Sequence, residues 1–148
     1  MGDEQRVVSA SRTINAPAGQ IFEMIAEPAR QPDWDGNDNL AASTAVRVTA
    51  VGDVFATTLT TGAVRENHVV EFHDGRLIAW RPAEAGGDPV GHLWRWELEP
   101  VDVSTTLVTH TYDWTDLHDP NRLTRARATT EDRLAASLDR LASTVENT

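Results

Sequence analysis

Apolar and polar positions along the chain change rhythm several times, and each rhythm predicts an element. From Gln5 to Ile14 they alternate. Val8, Ala10, Arg12 and Ile14 share one face, and Val7, Ser9, Ser11 and Thr13 share the other, which predicts a first strand. Asn15-Ala16-Pro17 reads as a helix start, because a proline in the first turn gives up an N–H that has no helical partner there. Ile21, Phe22 and Ile25 form a short apolar face, and the helix should stop near Glu27, since Pro28 disfavours helix in the residue before it. Residues 29–39, ARQPDWDGNDN, predict a loop with at most one helical turn. Strands are predicted over 45–51, 54–61, 64–73, 76–81, 90–99 and 105–114. Asp74-Gly75 is the signature of a two-residue type I′ hairpin turn, 82–89 (PAEAGGDP) of a loop, and 100–104 of a last hairpin. Asp119-Pro120 restarts helix. The final stretch from Thr129 to Glu146 puts Leu134, Leu138, Leu141 and Val145 on one helical stripe, with Thr129 and Asp132 spaced as a capping box.

The order is strand, short helix, six strands in meander and a long C-terminal helix. Hairpin connections imply an antiparallel sheet, and a helix with one apolar stripe must cover one of its faces. The predicted class is α+β: seven curved strands wrapped around the long helix, with one or two short helices after the first strand, in one domain over residues 1–148.

The last hairpin says most about the interior. His92, Trp94, Trp96 and Leu98 alternate with Leu93, Arg95, Glu97 and Glu99, so the first set should point inward. On the next strand Val108, His110, Tyr112 and Trp114 form the bulky set. Pairing Leu98 with Val108 sets Trp96 opposite His110, Trp94 opposite Tyr112 and His92 opposite Trp114. These rings serve either as packed core or as a pocket wall. The small Ala135, Ser137 and Ala142 beside the leucines of the last helix leave room for a cavity, which Leu134, Leu138 and Leu141 would floor. In the middle hairpin a two-residue turn pairs Phe72 with Leu77, Val70 with Ala79 and His68 with Arg81. Glu71 on the opposite face favours Phe72, Val70 and His68 inside; the other choice brings in Trp80, and a bulge would mix the two faces. Trp34, the one large apolar residue of the 29–39 loop, either plugs the core or lines the pocket mouth.

Composition narrows the chemistry. A net charge of −10 argues against nucleic acid, which needs a basic face. There is no cysteine, and all 13 basic residues are arginine, so disulfides, thiolate nucleophiles and lysine Schiff bases are excluded. Asp33, Asp35 and Asp38 invite a calcium loop, but the positions that need Gly and Glu hold Asp38 and Thr44. His68, His73, His92, His110 and His118 fit no zinc spacing, and phosphate-loop and nucleophile-elbow motifs are absent. Neither metal nor cofactor is expected. No signal peptide or membrane span is read from the sequence, so the expected location is the cytoplasm, as a monomer or homodimer.

Three features together resemble the START / Bet v 1-like (SRPBCC) superfamily, and more narrowly its polyketide cyclase/dehydrase and lipid-transport group. They are the strand followed by APAGQIFEMIAEPARQPDW, the hairpins VVEFHDGRLIAW and LWRWELEP with TTLVTHTYDW, and the closing amphipathic helix. The resemblance covers essentially the whole chain and implies a helix-grip fold with an apolar cavity between sheet and helix. It implies a small apolar, aromatic or polyketide-like ligand. Trp34, His68, Val70, Phe72, His92, Trp94, Trp96, Tyr112, Trp114, Leu134, Leu138 and Leu141 are the candidate lining, and His110 with Tyr112 are the candidate acid/base pair for cyclase or dehydratase chemistry. A non-catalytic lipid or small-molecule carrier or sensor, and an interaction module with a filled core, are the alternatives.

Overall fold

Alternating strands and one striped helix meet as the patterns require. The computed structural model describes residues 5–35, 40–43 and 46–146. The elements are β1 (Val7–Ile14), α1 (Ala18–Ala26), a 3-10 helix (Pro28–Asp33), β2 (Leu40–Ser43), β3 (Val54–Leu59), β4 (Val64–His73), β5 (Leu77–Glu84), β6 (Leu93–Asp102), β7 (Thr105–Asp113), α2 (Pro120–Ala128) and α3 (Glu131–Glu146). All seven strands form one antiparallel sheet in the order β1-β7-β6-β5-β4-β3-β2. The first and last strands of the chain pair, so β1 lies beside β7, with Val8 opposite Tyr112 and Ala10 opposite His110. This is the helix-grip fold.

The stripe of α3 is fully buried. Leu138, Leu141 and Val145 pack with Ile21, Phe22, Ile25, Trp96, Leu98 and Val108, and Leu134 joins a second cluster with Tyr112, Trp114, Leu117 and Ala126. Each such leucine is worth roughly 1.5–3 kcal/mol of burial. Polar contacts fix the helix at both edges. Arg12 donates to Asp139 at 2.7 Å, the Asn15 N–H donates to Glu146 at 2.9 Å, and Arg140 donates to the Asp35 carbonyl at 2.7 Å.

The register expected for the last hairpin is present: Trp94 pairs with Tyr112, Trp96 with His110 and Leu98 with Val108. Four local expectations are corrected. Residues 46–51 are irregular, because the Val48 N–H bonds the Ala26 carbonyl at the end of α1; the second strand is Leu40–Ser43 instead. The Asp74-Gly75 hairpin closes on a His73–Leu77 pair, so its loop has three residues. The ladder then regains phase by a bulge at Val70, between the pairs Val69–Trp80 and Glu71–Ala79. The Thr129 hydroxyl donates back to Arg125 and ends α2, and the first turn of α3 closes on the Thr130 carbonyl, so the Thr129/Asp132 box does not form. Asp38, Thr44 and Ala45 lie outside the described residues.

Candidate functional site

Strand alternation carries aromatic side chains to the concave face on three adjacent strands. Trp80 on β5 stands opposite Trp94 on β6, which stands opposite Tyr112 on β7. The β6–β7 rings touch in a continuous series. Trp96 stacks on His110 with centroids 3.7 Å apart, His110 on Trp94 at 5.5 Å, Trp94 leans on Tyr112 at 4.4 Å, and Tyr112 meets the His92 edge at 6.0 Å. Trp34 closes one side, with its ring edge-on to Trp96 at 5.1 Å and its indole N–H bonded to the Met24 carbonyl at 2.8 Å.

These rings line a cavity of about 540 Å³ between the sheet, the 3-10 helix, α2 and α3. That size accommodates a drug-sized organic molecule. Trp34, Trp80, His92, Trp94, Trp96, His110 and Tyr112 all border it, as do the polar side chains of Thr57, Asn67, Thr129 and Ser137. Asn67 is held by its own amide, which donates to the Phe55 carbonyl and the Thr57 hydroxyl, each at 3.1 Å.

Seven candidate lining residues lie elsewhere. The bulge turns His68 and Val70 away from the cavity, and Val70 is exposed; Phe72 stays inside but packs edge-on against Phe22 at 5.7 Å. Trp114 sits in the second cluster, covered by the Arg6 guanidinium at 4.5 Å. Leu134, Leu138 and Leu141 are consumed by core packing, and α3 presents Arg133 and Ser137 to the cavity instead. Sequence reasoning missed Arg65, Asn67, Arg125 and Arg133. They carry no motif, and no local pattern marks the rim of a cavity.

The electrostatics of the ring series are those of a dry wall. Burial pushes His110 down to about 3, against the weaker pull of the Arg95 carbonyl 3.0 Å from Nδ1. A carbonyl only accepts, so Nδ1 carries the proton and Nε2 keeps its lone pair. Burial likewise raises Tyr112 to about 12, so it remains a phenol and a donor. Burial first, and then the charges of Arg122, Arg65, Arg81 and Arg125, lower His92 to about 4. The buried Trp96 Nε1 and His92 Nδ1 have no partner among the described residues. Both rings border the cavity, but both atoms are sealed within its wall, out of reach of what occupies it. Gly91, at φ +120°, lets the chain pass within 2.1 Å (measured from a would-be Cβ) of the Asp116 carbonyl, and so sets His92 at the rim.

A sequence profile of the family described as "Polyketide cyclase / dehydrase and lipid transport" matches residues 5–146. The chain belongs to this family. Its relatives extend the picture without naming a ligand. The uncharacterized protein Rv0088 of Mycobacterium tuberculosis is 30% identical over 113 residues, covering 72% of this chain and 47% of that protein. The chain thus spans about half the length of the curated relatives it matches. Among solved structures, protein MLL2253 from Mesorhizobium loti aligns with a TM-score of 0.72 at 18% identity, over 97% of this chain and 98% of that one. The Zhui aromatase/cyclase from Streptomyces sp. R1128 aligns with a TM-score of 0.71 at 17% identity, over 96% and 94%. At these identities the likeness establishes the helix-grip fold of this family member and nothing about its substrate. No helix among the described residues is long and apolar enough to cross a membrane.

Proposed function

We propose that this protein binds one small, largely aromatic molecule in the cavity between sheet and α3, as a carrier or sensor. The observation that carries the reading is the wall itself: Trp80, Trp94, Trp96 and Tyr112 on one side of about 540 Å³, with polar and charged side chains around the rest. A core built only for stability would close that space, because unfilled volume costs packing energy. Tyr112 O–H is a donor for ligand oxygens, and His110 Nε2 is the matching acceptor.

The second reading is proton-transfer chemistry of the cyclase or dehydratase kind, with His110 as base and Tyr112 as acid. Membership of the family and the placement of both residues on one strand in the cavity favour it. The low basicity of His110 and the weak acidity of Tyr112 favour binding over turnover near neutral pH.

Native mass spectrometry of the purified chain, equilibrated with a mixture of naphthalene and anthracene alcohols, ketones and acids, tests the binding reading. The expected result is a one-to-one adduct with a subset of them. Absence of any adduct sinks it. Recovery of the bound compound unchanged supports the carrier, and a product short of one water supports the second reading.

A further inference from the structure

Beside the cavity, and sharing Arg65, Asn121 and Arg125 with it, lies a second hollow of about 410 Å³ completed by Glu84, Asp119 and Arg122. Arg133 borders the cavity from α3. In a chain of net charge −10, four arginines therefore line these two adjoining hollows. Their pairing is uneven. Arg122 is held by Glu84 at 2.7 Å and Asp119 at 3.5 Å, and Arg81 nearby by Asp116 at 3.7 Å. Glu84 is the cross-strand neighbour of Arg65, yet its carboxylate is taken by Arg122. Among the described residues, Arg65, Arg125 and Arg133 have no carboxylate partner.

The arginines also act on one another and on His92. Arg65 is destabilised as a cation by burial first and then by the charges of Arg122 and Arg125, although Glu84 opposes them. His92, on the cavity side, is held neutral by burial and then by Arg122, Arg65, Arg81 and Arg125. A partly buried Arg65 together with exposed Arg125 and Arg133, each with a spare guanidinium fork, is the chemistry that recognises oxyanions, because each fork matches a carboxylate or phosphate edge.

We infer that the cavity mouth is an oxyanion subsite, in which Arg65, Arg125 and Arg133 hold the carboxylate or phosphate of a ligand whose aromatic body lies against Trp80, Trp94 and Tyr112. This rests on the binding reading above and adds to it the class of ligand: an amphipathic aromatic anion. The open positive rim also steers such an anion through the otherwise acidic surface.

The test is calorimetric titration with three probes of one ring body: 2-naphthoate, 2-naphthyl phosphate and the neutral 2-naphthamide. At least one anion should bind about tenfold or more tightly than the amide, a preference equivalent to about 1.4 kcal/mol. The preference should shrink in 0.5 M salt, a concentration on the order of that which screens exposed charges within a few ångströms. Arg125→Gln, on an exposed helix position, and Arg65→Gln should each erode it. The stronger of the two anions identifies carboxylate or phosphate as the group. Equal binding of all three probes, or a preference indifferent to both substitutions, overturns the inference and leaves the binding reading standing. Failure of all three probes to bind removes both.

Discussion

At the scale of single residues, His110 concentrates the account. Its imidazole lies between two indoles, bonded through Nδ1 to a strand carbonyl, and burial holds it neutral to about pH 3. In the unfolded chain it titrates near 6.5. The folded value is the lower one, so folding excludes a proton. The stability this provides is complete above about pH 6.5 and is lost progressively as pH falls toward 3. His92, lowered to about 4, adds to the same acid limb. Denaturant unfolding between pH 7 and 4 should show stability falling by up to about 1.4 kcal/mol per pH unit for each of these groups. His110→Gln should flatten that limb; an unchanged slope would contradict a neutral buried His110. The inward placement of Trp94, Trp96, His110 and Tyr112 was legible from alternation alone, since Arg95, Glu97 and Glu99 mark the opposite face. Their protonation was not, because it depends on how tightly Trp94 and Trp96 seal the imidazole.

At the scale of elements, α3 divides its labour between neighbours. Leu138 is buried in the main cluster, and Ser137, one residue earlier, borders the cavity. Leu138→Ala should cost about 2–5 kcal/mol, as buried leucine truncations do. Ser137→Leu should intrude on the cavity, weaken probe binding and cost about 1–3 kcal/mol, as enlarging a buried side chain does. Thermal unfolding and probe titration on both variants check this; loss of binding in Leu138→Ala alone would reverse the assignment. The apolar stripe identified the helix from the sequence and also misled it. A stripe shows which face is buried, but not whether it meets side chains or a void, so Leu134, Leu138 and Leu141 read as cavity floor. The middle hairpin was ambiguous for a different reason. Val69 with Trp80 on one face and Phe72 on the other are comparably apolar, and a single bulge at Val70 turns Val69, Trp80 and Phe72 all inward.

At the scale of the whole molecule, the fold follows from the order of elements, and its seven-stranded grip on α3 makes a cavity where strands and helix diverge. The sequence carried that architecture because periodicity and turn chemistry are local. It did not carry the arginine rim, which is assembled from β4, α2 and α3 across more than 60 positions and leaves no local signature. The net charge of −10 argued only against nucleic acid; the distribution of that charge points to an anion at the cavity mouth. The most direct test of the central claim is a two-dimensional NMR titration of the five indole N–H resonances with the neutral probe 2-naphthamide. Occupation of the cavity should move the signals of Trp80, Trp94 and Trp96, which border it, and leave that of Trp114, packed under Arg6 outside it, in place. Indole signals that all stay fixed, or a shift confined to Trp114, would contradict the account.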